Sequence, residues 1–304
     1  MTKHLLKLMD LSGGEIMEIL NLADQLKYER AHGIAHPHLK GKTLGMIFNK
    51  SSTRTRVSFE VGMYELGGHA LFLSSNDLQI GRGEPVADTA RVLSRYLSGV
   101  MIRTYAQAEV EDFAKHGSIP VINGLTDHCH PCQALADLMT VRERKGALEG
   151  LKLCYIGDGN NMAHSLIVGG IKTGMRVSVA SPAGYEPDAD IVNWAKETGD
   201  FTLTADVFAA AAGADVLVTD VWASMGQEGE AQARRAAFEG VYQINRAMLD
   251  IANPGCMVQH CLPAHRGEEI AADVLEAHAD EIFDEAENRL HVQKALMVLL
   301  MQDK

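Results

Sequence analysis

The chain reads as an α/β protein: two doubly wound domains with mainly parallel sheets, and an active site in the cleft between them. Three observations predict this. Short apolar runs alternate with helix-period segments along most of the chain. The 304 residues exceed one ordinary domain and accommodate two of about 150 residues each. The composition, 46% hydrophobic against 22% charged, is rich enough to fill two cores.

Each element follows from its local pattern. Leu44 to Phe48 form an apolar run, so 42–48 is a strand, and Val57, Phe59, Val61, Met63 and Leu66 mark a helix over 54–66. Strands are expected at 69–74, 99–103 and 119–122, with helices near 85–96 and 106–116 between them. A long helix over 131–146 ends at Gly146, and the stretch to Gly150 is the expected boundary between domains 1–146 and 147–287. The second half repeats the scheme, with strands at 151–157, 175–180, 201–204, 215–220 and 256–260. Its helices fall near 161–172, 187–199, 205–213, 270–278 and 288–301, the last one amphipathic. Residues 223–245 are small, polar and weakly periodic, and read as a long functional loop.

Composition excludes several function classes. A formal net charge of −12 argues against a nucleic-acid or anionic-membrane surface. An anionic substrate must therefore meet a local basic pocket. No uncharged apolar stretch reaches the roughly 18 residues of a membrane span, and the N-terminus lacks the apolar run of a secretion signal. Five cysteines, odd in number and sparse, fit a reducing cytoplasm better than a disulfide framework.

The densest chemical signal is Asn49-Lys50-Ser51-Ser52-Thr53-Arg54-Thr55-Arg56. A strand that feeds a hydroxyl-rich turn and then a helix presents unpaired N–H groups and the positive end of the helix dipole, which together make an anion site. Ser52, Thr53 and Thr55 add hydroxyl donors, and Arg54 and Arg56 add planar forks suited to phosphate. Other polar residues also fall beyond strand ends: Arg103, His130 and Gln133, Asn160 and Asn161 after Gly157-Asp158-Gly159, Asp220, and His260 with Cys261. In open α/β sheets, ligands bind beyond the carboxyl ends of the strands, so one cleft would collect them all.

With these residues the chain resembles the transcarbamylases, and among them the ornithine carbamoyltransferases. The motifs are Ser52 to Arg56, Gln79, Arg103, His130-Pro131-Cys132-Gln133, Asn160-Asn161, Asp220 to Gly226, His260-Cys261-Leu262-Pro263 and Glu287-Asn288-Arg289. They run from about residue 45 to the C-terminus, in the family's order. The related aspartate transcarbamylases carry a lysine in the loop after the second strand, where residues 76–84 here read Asn-Asp-Leu-Gln-Ile-Gly-Arg-Gly-Glu. They also lack the Ser-Met-Gly and His-Cys-Leu-Pro motifs.

The resemblance implies transfer of a carbamoyl group from carbamoyl phosphate to the δ-amine of L-ornithine, giving citrulline and phosphate, with no cofactor and no metal. It implies that Ser52, Thr53, Arg54, Thr55 and Arg103 grip the phosphate. Thr55, Arg103 and His130 would hold the carbamoyl oxygen. Gln133, the backbone carbonyl of Leu262 and Arg289 would complete the carbamoyl side. Asn161, Asp220, Ser224 and Met225 would orient ornithine, with Cys261 near the δ-amine and not acting as a covalent nucleophile. Gln79 would reach a neighbouring subunit's site in a homotrimer, and residues 288–304 would pack back on the first domain. Binding would be ordered, with loop 223–245 closing over ornithine.

Other readings start from single motifs. Cys129-His130-Pro131-Cys132 is a C-x-x-C, but it lies after about four strands, unlike the redox motif of a thioredoxin-like unit. Pairing it with Cys256, His260 and Cys261 as a zinc site needs spacings that are not knuckles. Gly157-Asp158-Gly159 opens a dinucleotide fingerprint, but Met162 stands where the third glycine belongs. A related amine such as putrescine or an acylated ornithine remains an alternative acceptor. A binding protein of the same fold remains an alternative to an enzyme. His164, His265 and His291 read as surface or structural.

Overall fold

The computed structural model describes residues 4–79, 83–224, 226 and 228–302. It divides into two compact units, Met1–Ala136 with Asn288–Lys304, and Asp137–Glu287.

The first unit opens with helix α1 (Gly13–Ala31), started by a capping box in which Ser12 and Glu15 satisfy each other's backbone N–H. Then follow β1 (Thr43–Phe48), α2 (Thr53–Glu65), β2 (His69–Ser74), α3 (Val86–Leu93), β3 (Gly99–Arg103), α4 (Gln107–His116), β4 (Val121–Leu125) and the long α5 (Pro131–Lys145). The sheet order is β2-β1-β3-β4, with every pair parallel. The winding reverses between β1 and β3, where Phe48 lies beside Arg103. Such a reversal leaves a crevice at the carboxyl ends of the two strands. Ile47, Val100, Ile102 and Val121 from the sheet pack with Ala90, Val110 and Phe113 from the helices.

The second unit contains β5 (Lys152–Ile156), α6 (Asn161–Lys172), β6 (Arg176–Ala180), α7 (Ala189–Thr198), β7 (Phe201–Thr204), α8 (Val207–Ala211) and β8 (Val216–Thr219). These are followed by α9 (Ala231–Phe238), α10 (Arg246–Ile251), β9 (Met257–His260) and α11 (Ala272–Ala277). The final helix, α12 (Ala279–Met301), begins in this unit and ends in the first. The sheet is again all parallel, in the order β7-β6-β5-β8-β9, and its winding reverses between β5 and β8. Cys154, Ile156, Leu217 and Val258 from the strands pack with Ala210, Phe238, Tyr242 and Leu275.

The expected α/β architecture is the observed one, with several differences, among them the short helix α10, which has no counterpart in the sequence reading. Helix α1 has no counterpart in the sequence reading. Residues 223–245 are not all loop, because α9 lies among them and buries Arg234 and Phe238. Helix α12 starts at Ala279, nine residues before 288, over a turn whose Asp280 and Glu281 suit the positive end of a helix. The first unit division falls inside α5, ahead of Gly146, because the opening turn of that helix belongs with β4. There the Cys132 thiol donates to the Asn123 carbonyl at 3.4 Å. No described helix is long and apolar enough to cross a membrane.

Candidate active site

In the first unit, Ser52 is the N-cap of α2. Its Oγ accepts from the Thr55 N–H at 3.2 Å and its hydroxyl donates to Thr55 Oγ1 at 3.1 Å. One donor of the first turn is thus spent on the cap, and the turn is fixed in shape. Thr53 is exposed and Arg54 half-buried at the same helix start. Arg56 does not join them. Its Nε donates to Glu60 at 2.9 Å and its guanidinium stacks 3.9 Å from the Phe72 ring, so the expectation of a second phosphate fork there is corrected.

Arg289, from α12, is buried against this turn. Its Nη2 donates to Thr55 Oγ1 at 3.0 Å and its Nη1 to Gln133 Oε1 at 2.7 Å. Arg289 thereby ties the start of α2 to the start of α5. Arg103 closes β3, nine-tenths buried, and His130 immediately precedes α5. Burial first, then the positive charges of Arg289, Arg103 and Arg54, push the His130 imidazole well below its usual pKa. His130 is therefore neutral at working pH, and three guanidinium groups act on one small region of this unit.

The two nearby cysteines are not a redox pair in waiting. Cys129 and Cys132 are buried, and burial pushes each thiol up to about 12. Thiols held so far towards the protonated form are poor nucleophiles. Gln79 is exposed, on the segment after β2.

In the second unit, the turn after β5 carries Gly157, Asp158 and Gly159. A Cβ on Gly159 would stand 2.1 Å from the Pro187 nitrogen and 2.2 Å from the Glu186 carbonyl carbon, so only glycine fits. Asn160 caps α6, its Oδ1 accepting from the Met162 and Ala163 N–H groups. Its Nδ2 donates to Asp220 Oδ2 at 2.9 Å, just beyond β8. Asp220 Oδ1 accepts from the Val221 N–H at 2.8 Å and from the Cys261 thiol at 3.1 Å. The residues at the β5/β8 reversal are therefore organised around one carboxylate. Asn161, buried, begins α6, and Ser224 is half-buried beyond Asp220. Met225 lies outside the described residues.

Cys261 is raised well above the usual thiol range, first by burial and then by the Asp220 charge. It stays a protonated hydrogen-bond donor, as expected for a residue that is not a nucleophile. The turn that carries it is braced by His260, whose Nδ1 accepts from the Leu262 N–H at 2.9 Å. That leaves Nε2 to carry the hydrogen donated to Glu269 Oε1 at 2.9 Å. Leu262 has φ +56, a conformation that costs a side-chain-bearing residue free energy and is held here by the His260–Glu269 pair. Asp220, His260 and Cys261 bring donor atoms within 4.8 Å of one another. Both nitrogens of His260 are already engaged, which leaves too few ligands for a metal.

Three features of this unit were not legible in the sequence: the Glu269 brace, Asn160 rather than Asn161 bonding Asp220, and Arg234. Arg234, from α9, is buried. It pairs with Asp158 at 2.8 Å and donates to the Trp222 carbonyl at 3.2 Å. Burial outweighs that pairing and pushes Asp158 up to about 6. His164 is structural, accepting from the Asp188 N–H at 2.9 Å, and His265 is exposed.

Two family descriptions match the chain. Residues 3–143 match the aspartate/ornithine carbamoyltransferase carbamoyl-P binding domain, and residues 149–300 match the Asp/Orn binding domain of the same family. The chain is 56% identical to an ornithine carbamoyltransferase of Oceanobacillus iheyensis, over 99% of this chain and 95% of that one. It superposes on a solved ornithine carbamoyltransferase of Pyrococcus furiosus with a TM-score of 0.93 at 53% identity, covering 98% of this chain and 96% of that one. The anabolic enzyme of Campylobacter jejuni gives a TM-score of 0.93 at 43% identity, covering 98% and 99%.

Proposed function

The chain belongs to the aspartate/ornithine carbamoyltransferase family, and from that premise we propose that it transfers the carbamoyl group of carbamoyl phosphate to the δ-amine of L-ornithine, releasing L-citrulline and phosphate. The observation that carries the first half is the convergence of Arg54, Arg103 and Arg289 on a neutral His130 at the β1/β3 reversal. The first unit is on this reading the carbamoyl phosphate-binding domain and the second the ornithine-binding domain.

The carbamoyl oxygen gains negative charge as the amine attacks, and the phosphate gains it as the C–O bond breaks. Donors fixed in advance at such positions contribute about 3–4 kcal/mol each. Ser52, Thr53, Arg54, Thr55 and Arg103 serve the phosphate, while Thr55, Arg103 and His130 serve the carbamoyl oxygen. Gln133 Oε1 gives one lone pair to Arg289 and keeps a second for the carbamoyl NH2. Asp220, with Asn161, Ser224 and the Met225 backbone, takes the α-amino and α-carboxylate ends of ornithine. Its side chain, braced by Asn160, suits a free α-ammonium. An acylated ornithine would remove that charge and putrescine has no α-carboxylate, so both are disfavoured.

An alkylammonium has no lone pair and titrates near 10.4, so the site must take ornithine with a neutral δ-amine. The amine attacks the carbamoyl carbon directly, the C–O bond to phosphate breaks, and the amine proton leaves towards the phosphate. No acyl-enzyme forms, which fits a Cys261 thiol held protonated. The relatives of Pyrococcus furiosus and Campylobacter jejuni named anabolic support a role in arginine biosynthesis.

Assembly as a homotrimer completes the reading, with Gln79 offered to a neighbouring subunit. Val57, Tyr64, Leu71 and Phe72, exposed on α2 and the edge strand β2, support a covered face there. Five free cysteines support a reducing, cytoplasmic setting. The test is citrulline formation by the purified protein from carbamoyl phosphate and L-ornithine, with putrescine, N-acetylornithine and aspartate in parallel. Turnover with ornithine alone is expected. Turnover with another amine would discard the second-substrate half, and none with any amine would reject the catalytic reading.

A further inference from the structure

The geometry points to Lys50 as a positioning residue for the phosphate site, an inference that rests on the reading above. Three loops leave the carboxyl end of the first sheet next to one another: after β1, after β3 and after β4. They carry Ser52 to Thr55, follow directly on Arg103, and lead into His130, respectively. Backbone bonds already join them in pairs. The Asn49 N–H donates to the Arg103 carbonyl at 2.8 Å, and the Asp127 N–H donates to the Tyr105 carbonyl at 2.8 Å. Asn49 Nδ2 adds bonds to Thr104 Oγ1 at 2.8 Å and Glu109 Oε2 at 3.1 Å.

In the first loop, the Lys50 side chain reaches both of the others. Its stem is buried, with 3% of the side chain exposed. Its ammonium bonds Asp127 Oδ1 in the third loop and lies 4.2 Å from the centre of the Tyr105 ring in the second. A cation held by a carboxylate on one side and a ring face on the other is fixed in place. Its position is therefore set by protein partners. It stands two residues before the cap Ser52, and those partners stand two residues after Arg103 and three before His130. Removing the charge deletes the side-chain tie from the first loop to the third and loosens the turn that carries Ser52 to Thr55. The donors would then lose their fit to a tetrahedral anion while the amine site in the second unit is untouched.

The test is a double-mutant cycle with Lys50→Met and Asp127→Asn, Lys50→Arg as the conservative control, read by initial rates in both substrates and by calorimetric binding of inorganic phosphate. Lys50→Met is expected to raise the KM for carbamoyl phosphate and the phosphate Kd by about tenfold, while kcat and the ornithine KM move by less than about threefold. Lys50→Arg should recover much of the loss. Asp127→Asn should shift the same constants in the same direction, and the double variant should be no worse than Lys50→Met. Additive losses would mean that Lys50 acts apart from Asp127, as a direct phosphate ligand, and would overturn the proposal. So would an unchanged phosphate Kd in either folded single variant. If Lys50→Met fails to fold, the Asp127→Asn and Lys50→Arg arms decide alone. Wild-type protein that binds phosphate but makes no citrulline would reject the reaction and leave the phosphate measurement to judge Lys50.

Discussion

His130 is kept neutral by its surroundings: burial and three arginine charges all oppose a fourth positive charge. It therefore offers a fixed hydrogen-bond donor and no proton to shuttle. His130→Asn is expected to lower kcat by about 10²-fold or more, the usual cost of one preorganised donor, and to keep the shape of the pH–rate profile. Loss of the acid limb would show that the imidazole titrates during turnover. The same depressed pKa has a sign for stability. Below pH 6.5 the unfolded chain binds a proton here that the folded chain refuses, so stability is lost as pH falls through that value. Cys261 is the complementary case, a thiol kept protonated by burial and by Asp220. Cys261→Ser preserves a donor to Asp220 and should retain measurable citrulline formation; inactivity in a folded variant, with a carbamoylated thiol trapped in the parent, would establish covalent catalysis.

At the scale of elements, the turn between β5 and α6 tolerates no side chain at Gly159. Gly159→Ala would drive a methyl into the backbone at Glu186 and Pro187, and the turn must move. The expected result is about 1–3 kcal/mol lost in chemical denaturation and a raised ornithine KM, with the carbamoyl phosphate KM little changed. An equal effect on both substrates would argue that the turn does not belong to the amine site alone. The strands were legible because each is a short apolar run ended by a polar cluster. Only part of what escaped did so for physical reasons. Helix α1 advertises itself by its Ser12-x-x-Glu15 box and by Ile16, Ile19, Leu20, Ala23 and Leu26 at helical spacing, a signal present but unread. Helix α9 is alanine, glutamine and arginine up to its final Phe238, strong helix formers with one large apolar residue and no apolar stripe. Its anchor is Arg234 buried against Asp158, a contact between residues far apart in the chain. Site residues were legible by type and place, whereas the braces behind them were not. Glu269 behind His260, and Arg289 spanning Thr55 and Gln133, are visible only once the chain has folded.

For the whole molecule, the second unit is one continuous stretch of chain, but the first is not finished by the stretch that begins it. The first unit needs residues 288–304, which bring Arg289 to the phosphate turn and bury Lys294 against Glu65 at 2.7 Å and His36 at 2.9 Å. Burial lowers the Lys294 pKa and the Glu65 carboxylate opposes that fall, so the pair is integral to how α12 seats on α2. Gly62 on α2 allows the close approach, since a Cβ there would meet Met297 at 2.9 Å. A chain ending at Glu287 is expected to lose phosphate binding and the unfolding transition of the first unit. Phosphate affinity equal to that of the full chain would show the C-terminal segment to be dispensable.

Arg289 has a further consequence when the protein is considered as something made over time. The ribosome delivers Arg289 234 residues after Thr55, at about 5–20 residues per second. The anion-binding motif therefore waits through that interval before its clamp on Thr55 and Gln133 arrives. A nascent or prematurely terminated chain carries the phosphate-recognising sequence without its final fastening. Substrate capture is thereby reserved for chains in which Arg289 has been made and seated.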